Sequence, residues 1–176
     1  VLKRRFNFKK LSMHSKIALS VSGVLLAAGT LLLKLTENVT WLGAFFMSVS
    51  ARTACFSSYN LANFTRAGLF AIIILMFIGA SPGSTGGGIK TTTFFVLLQG
   101  IKKSATNRTE KAFKYSVPRD AYKKASVITL LGVAVSVTGT YLMLLFDPQL
   151  TFMQAFFEIV SAFGTVGLSL GITPSL

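Results

Sequence analysis

Two short stretches of this sequence have residue types suited to binding a cation without an acidic side chain. Thr165-Val166-Gly167-Leu168 follows one brief apolar run and Thr53-Ala54-Cys55-Phe56 follows another. A Thr-x-Gly-x stretch behind a short helix offers a cation the negative end of the helix dipole and a row of backbone carbonyls that replace waters of hydration. Glycine in such a loop reaches left-handed backbone angles that cost a residue with a Cβ about 1–2 kcal/mol. Cys55 stands where the second stretch has Gly167, so the first loop departs from the pattern. That departure predicts either strain with weakened selectivity for one cation over another, or tolerance of a compact thiol.

A third stretch, Ala80-Ser81-Pro82-Gly83-Ser84-Thr85-Gly86-Gly87-Gly88-Ile89-Lys90, nearly reads as a phosphate-binding loop. Ile89 puts the lysine one place too late for its amine to reach a phosphate cradled by the glycines. A gate-like loop and a plain packing hinge are the readings left. Lys90 at its end is expected to repel the passing ion or to snorkel toward the cytoplasmic face. Arg52, beside the first Thr-x-x-x stretch, either bonds loop carbonyls or anchors at the membrane interface. Glu158 is expected to support the second loop by hydrogen bonding or to face water. His14 reads as a solvated boundary residue. With 5 acids and 1 histidine, no catalytic triad, metal-ligand cluster or carboxylate pair can be assembled, so the chain is not read as an enzyme.

The elements that must position these loops are apolar helices. Residues 17–35 would span about 28 Å as a helix, close to the roughly 30 Å hydrocarbon thickness. The apolar run 41–49 reaches only about 14 Å, too short to cross, and predicts a re-entrant pore helix over 41–50. Residues 67–101 would reach about 52 Å if unbroken, but the Pro and the glycine run in their middle make continued helix unfavourable. They predict a broken helix over 63–101, with irregular backbone at membrane depth that must be surrounded by protein or line a water-filled cavity. Residues 125–146 predict a second full span and 150–162 a second short helix.

Of the 18 Lys and Arg, 14 fall in two blocks, before residue 17 and within 102–124. That pattern marks cytoplasmic loops and argues against a nucleic-acid surface, which lacks a reading helix or aromatic motif. Both blocks on one side demand an even number of crossings between them.

The chain also repeats itself. Ala44-Phe45-Phe46-Met47-Ser48-Val49-Ser50-Ala51 matches Ala155-Phe156-Phe157-Glu158-Ile159-Val160-Ser161-Ala162 at an offset of 111 with six of eight positions identical, and one inserted residue then aligns Thr53 with Thr165. The fold class expected is an all-α integral membrane protein of tandem repeats, each with a transmembrane helix, a re-entrant pore helix with its loop, and a broken transmembrane helix. Residues 1–16 form a basic cytoplasmic segment, 17–101 one repeat with its loop at 52–57, 102–124 a cytoplasmic linker, and 125–176 a second, truncated repeat with its loop at 164–169.

Ser50-Ala51-Arg52-Thr53-Ala54-Cys55-Phe56-Ser57, the block from Gly79 through the glycine run to Thr93, and Ser161-Ala162-Phe163-Gly164-Thr165-Val166-Gly167-Leu168-Ser169-Leu170-Gly171 together resemble the Trk/Ktr/HKT superfamily of potassium transporters, most closely its Ktr-type membrane subunit. The resemblance implies four covalently linked repeats around one pore in the cell membrane, of which this chain supplies the third and most of the fourth. The first two repeats and the final helix would then belong to the remainder of the same polypeptide. Thr53–Phe56 and Thr165–Leu168 would be two of four potassium filter loops, and 80–90 the gate beneath them. The resemblance further implies a homodimer seated on a cytosolic nucleotide-binding ring and surrounded by lipid, with potassium or sodium as the transported ion and no bound cofactor. The competing functions are a carrier with broken helices working by alternating access, a sodium-permeable cation transporter, and a structural membrane protein.

Overall fold

The computed structural model describes residues 12–54, 56–106, 111–112, 115–116 and 119–171. Six α-helices are described. Helix α1, Met13–Thr36, starts where the Ser12 side chain accepts from the Ser15 amide, and Lys34 in its last turn donates to the Val39 carbonyl over 2.8 Å. At 24 residues it is about 36 Å long, enough to cross a bilayer. Helix α2, Trp41–Ser50, follows after a four-residue turn, its first amides capped by Thr40. Its ten residues span only about 15 Å. Gly29 of α1 lies against Ser48 and Leu75, so the two helices approach more closely than any Cβ there would permit. Ser48 Oγ uses that proximity to donate to the Leu26 carbonyl over 3.1 Å.

The stretch read as a helix broken once over 63–101 divides earlier. A 3₁₀ turn at Leu61–Asn63 comes first, and helix α3, Arg66–Phe77, begins where Thr65 caps the Gly68 amide. Glu37 reinforces that start, accepting from the Thr65 amide at 2.9 Å and its hydroxyl at 2.6 Å. Capping side chains at Asn60 and Thr65 compete with helix for local backbone groups, which is why the chain turns there. Helix α3 is apolar nearly all round and sits in the core, with Ile72 and Met76 fully buried beside Leu33, Met47, Phe157, Val160 and Val166.

Irregular backbone covers 78–90, and helix α4, Thr91–Thr106, then runs five residues past the expected end at 101. Helix α5, Arg119–Phe146, begins six residues before 125. Both ends of the basic linker are therefore helical rather than irregular, since Lys and Arg are good helix formers and the apolar count alone says nothing of where a helix stops. Between them two-residue strands β1, Lys111–Ala112, and β2, Tyr115–Ser116, pair antiparallel. Helices α1 and α5 are the two among the described residues long and apolar enough to cross a membrane. Helix α6, Phe152–Phe163, opens with a capping box between Thr151 and Gln154 and packs on α3 and α5.

Candidate ion-translocation site

The two short helices end in the same way. Behind α2 the Ala54 amide donates to the Ser50 carbonyl over 3.2 Å, and Thr53 takes a left-handed φ of 72°. Behind α6 the Val166 amide donates to the Ser161 carbonyl over 2.9 Å, Thr165 has φ 51°, and Gly167 has φ 75°. Thr53 and Thr165 are the two non-glycine residues with positive φ among the described residues, and the sequence repeat aligns them. A β-branched residue in that region costs on the order of 1–3 kcal/mol and persists only where its surroundings over-determine it. In the second loop Val166 and Leu168 turn into the core while Thr165 and Gly167 stay exposed, so successive residues alternate between the core and the open face. Ala54 is half-buried and Phe56 is 69% exposed. Cys55 lies outside the described residues.

The surroundings that hold the two threonines come largely from the irregular segment between α3 and α4. A Cβ at Gly86 would stand 3.2 Å from the Thr53 side chain, and one at Gly87 would stand 2.5 Å from the Phe163 carbonyl oxygen and 2.9 Å from Thr165 Cγ2. The Gly87 amide donates to Thr165 Oγ1 at 2.6 Å and the Gly88 amide to the Phe163 carbonyl at 3.1 Å. Gly88 itself has φ 70° and packs against Gly79, where a side chain would collide with the Gly87 carbonyl. The glycine run therefore touches both loops at once. Its base is closed by Ile89 N–H to the Phe77 carbonyl at 3.0 Å and Thr91 N–H to the Ala80 carbonyl at 3.3 Å. Pro82, Gly83, Ser84 and Thr85 form an exposed tip, in which the Ser84 amide and hydroxyl both reach the Ser81 carbonyl, at 3.3 and 2.8 Å.

Two cations bind this segment. Arg52 donates to the Gly79 carbonyl over 3.2 Å and to the Ser22 carbonyl of α1 over 3.3 Å. It bonds carbonyls, as one sequence reading expected, but those of α1 and of the irregular segment. Its Nε is buried with no hydrogen-bond partner among the described residues. Lys90 departs from the expectation of snorkelling: its ammonium turns back and donates to the Ser84 carbonyl at 3.3 Å and to the Gly86 carbonyl. Backbone oxygens that irregular structure leaves unpaired outcompete the distant interface for that charge.

Support from behind the loops comes from Glu158, as one sequence reading expected, and from serines to which the sequence assigned no role. Ser161 Oγ donates to the Leu168 carbonyl at 2.6 Å, and Glu158 accepts from Ser169 Oγ at 2.7 Å and from the Leu170 amide at 2.9 Å. Glu158 is thus a hydrogen-bonded support. In the first copy the aligned Ser57 Oγ lies 4.0 Å from the Met47 sulfur and donates to the Tyr59 carbonyl at 2.5 Å, and the Ser50 hydroxyl is buried with no partner among the described residues. The identity of Ser50 with Ser161 and of Ser57 with Ser169 across the repeat is the signal by which these supports could have been found. His14 is exposed at the start of α1, as expected. Among the described residues no three His, Cys, Asp or Glu side chains gather as metal ligands.

The family of cation transport proteins described as TrkH matches residues 14–176. This chain belongs to that family. The TrkH family is one of cation transport proteins and not of enzymes. It is similar to the Ktr system potassium uptake protein B of Vibrio alginolyticus, 37% identical over 185 residues that cover 98% of this chain and 40% of that protein. It is also similar to the potassium/sodium uptake protein NtpJ of Enterococcus hirae, 37% identical over 96% of this chain and 41% of that protein. The fold is like that in the crystal structure of the potassium transporter TrkH from Vibrio parahaemolyticus, with a TM-score of 0.66 at 20% identity, covering 91% of this chain and 38% of that one. This TrkH-family chain therefore spans about two fifths of the length of the curated relatives it matches.

Proposed function

We propose that the chain supplies two of the loops of a potassium-uptake pore, with Thr53–Phe56 and Thr165–Leu168 as filter segments and 80–90 as the gate beneath them. The observation that carries this reading is the matched pair of left-handed threonines, each ending a short helix and each touched by the same glycine run. The C-terminal ends of α2 and α6 each bring roughly half a negative charge toward the loops. Their carbonyls replace part of a cation's hydration shell without any acid in the path. Residues 80–90 contact both loops, so a movement there changes the space below both together.

In this reading the two copies are the third and fourth repeats of one polypeptide in the cell membrane, with α1 and α5 crossing and the 102–124 connection cytoplasmic. The complete protein works as a homodimer on a cytosolic nucleotide-binding ring. Sodium permeation is the second reading, favoured by Cys55 opposite Gly167 and by a relative named for potassium and sodium uptake. The test is uptake by a cell lacking its own potassium systems that carries the full reading frame encoding this chain, at limiting potassium with sodium varied. Restored growth and saturable rubidium uptake are expected. Absence of rescue with the protein present in the membrane, or saturation by an organic solute, would overturn the proposal.

A further inference from the structure

A cavity of about 340 Å³ lies between α3, α4, α5 and α6, and no residue of 52–57 or 164–169 lines it. Its walls include Ile74, Phe94, Leu97, Val133, Val137 and Phe156. That volume falls within the range of roughly 300–1,000 Å³ found for small-molecule sites. The two hydroxyls in the lining turn away: Thr129 Oγ1 donates to the Ala125 carbonyl and Ser136 Oγ to the Gly132 carbonyl, each over 2.9 Å. A cavity so lined offers water too few polar partners and takes an apolar guest. It opens sideways, since Ile74, Val133 and Val137 are 45, 44 and 57% exposed. Helix α5 carries that apolar surface on through Val127, Leu130 and Leu131, all more than half exposed.

Charge stands at one end of this cavity. Helices α4 and α5 come together where a Cβ at Gly100 would stand 2.9 Å from Tyr122 Cδ1. Exposed Lys102 follows Gly100 by two residues, and exposed Lys123 and Lys124 follow Tyr122 directly. Across 102–124 eight Lys and Arg stand against two acids, Glu110 and Asp120. We propose that the cavity and these lysines form one site for an anionic phospholipid, with an acyl tail between α4 and α5 and the phosphate at Lys102, Lys123 and Lys124. This goes beyond ion passage and rests on the reading that α5 crosses the membrane with the 102–124 connection at the cytoplasmic face. The depth fits a lipid: Leu97 and Thr129 lie five residues from Lys102 and Lys124, about 7.5 Å of helix, and Val137 lies thirteen from Lys124, about 20 Å. One leaflet of a bilayer has about 15 Å of hydrocarbon, so a tail whose headgroup sits at the lysines reaches most of the cavity. A cluster of lysines beside a membrane-crossing helix attracts anionic headgroups, and the apolar opening beside it holds the tail.

The experiment uses the protein from the full reading frame with two lipids that carry a photoreactive diazirine in the acyl tail, phosphatidylglycerol and phosphatidylcholine, and maps the labelled residues. Phosphatidylglycerol is expected to label Phe94, Leu97, Val133 or Val137, and phosphatidylcholine to label them far less. Lys102→Gln and Lys123→Gln are each expected to weaken phosphatidylglycerol labelling about fivefold at limiting lipid, the scale of one lysine beside an anionic headgroup. Val133→Trp fills the mouth of the cavity and is expected to remove label from Phe94 and Leu97, whereas Val133→Ala keeps it open and is expected to label like the parent. Equal labelling by both lipids, or labelling indifferent to the lysines or to Val133→Trp, would overturn the site. Label elsewhere on the protein but none in the cavity would mean that another part of the polypeptide covers it, and would also overturn the site. Rubidium uptake is measured on the same protein. Label in the cavity without uptake would uphold the lipid site and overturn the proposed function, and uptake without label would overturn the lipid site alone.

Discussion

The Gly87 amide donates to Thr165 Oγ1 over 2.6 Å, tying the segment between α3 and α4 to the left-handed turn behind α6 across 78 residues of sequence. That bond is formed because Gly87 lacks a side chain: a Cβ would stand 2.5 Å from the Phe163 carbonyl oxygen. One contact thus holds a strained threonine and the base of the proposed gate together.

Thr165→Val removes the hydroxyl while keeping the shape, and it leaves the Gly87 amide without its acceptor. A loss of about 1–3 kcal/mol in stability is expected, with uptake reduced. Thr165→Ser should restore both. Thermal unfolding in detergent and rubidium uptake check this, and a Val variant as stable and active as the parent would remove the bond from the account.

Arg52 spans from the Ser22 carbonyl to the Gly79 carbonyl with two guanidinium nitrogens. Lys carries one point donor on a flexible stem and cannot reproduce that fork. Arg52→Lys is therefore expected to lose most of the stability lost by Arg52→Gln, about 1.5–3 kcal/mol for each charged bond broken. Denaturation midpoints of the three proteins give the comparison, and a Lys variant matching the parent would show that charge alone suffices.

Glu158 accepts from both Ser169 and Leu170, whereas Met47 at the aligned position offers only a weak sulfur acceptor to Ser57. Glu158→Met makes the copies alike and is expected to cost about 1.5–3 kcal/mol and to lower uptake. Glu158→Gln, which keeps an acceptor oxygen, should lie between it and the parent. Equal uptake in all three would mean that the second loop needs no carboxylate behind it.

Gly167 has φ 75°, a conformation that disfavours a side chain, and its counterpart in the repeat is Cys55. In the second copy Ser161 holds the Leu168 carbonyl, while the aligned Ser50 hydroxyl is buried with no partner among the described residues. Cys55→Gly is expected to raise potassium over sodium selectivity in uptake competition. Unchanged selectivity would mean that the thiol is tolerated.

Much of the scaffold was legible in the residues. Run length against bilayer thickness separates α1 and α5, long enough to cross, from the short α2 and α6, because a helix advances a fixed distance per residue. The Pro and glycine run announces broken helix, and the 111-residue repeat offset, with one inserted residue, aligns Thr53 with Thr165. Helix ends were less legible: α4 and α5 extend into the basic linker because helix propensity continues where apolar content stops.

The partners of the polar groups were decided by the tertiary structure. Lys90 folds onto Ser84 and Gly86 instead of reaching the interface, and Arg52 finds acceptors 30 and 27 residues away on two different elements. Composition, periodicity and capping are local properties, so the sequence by itself determines which segments are helical and where backbone must be irregular. Which carbonyl each buried donor meets depends on how α1, α3 and α6 pack around that irregular segment, and only the assembled fold brings those groups within hydrogen-bonding distance.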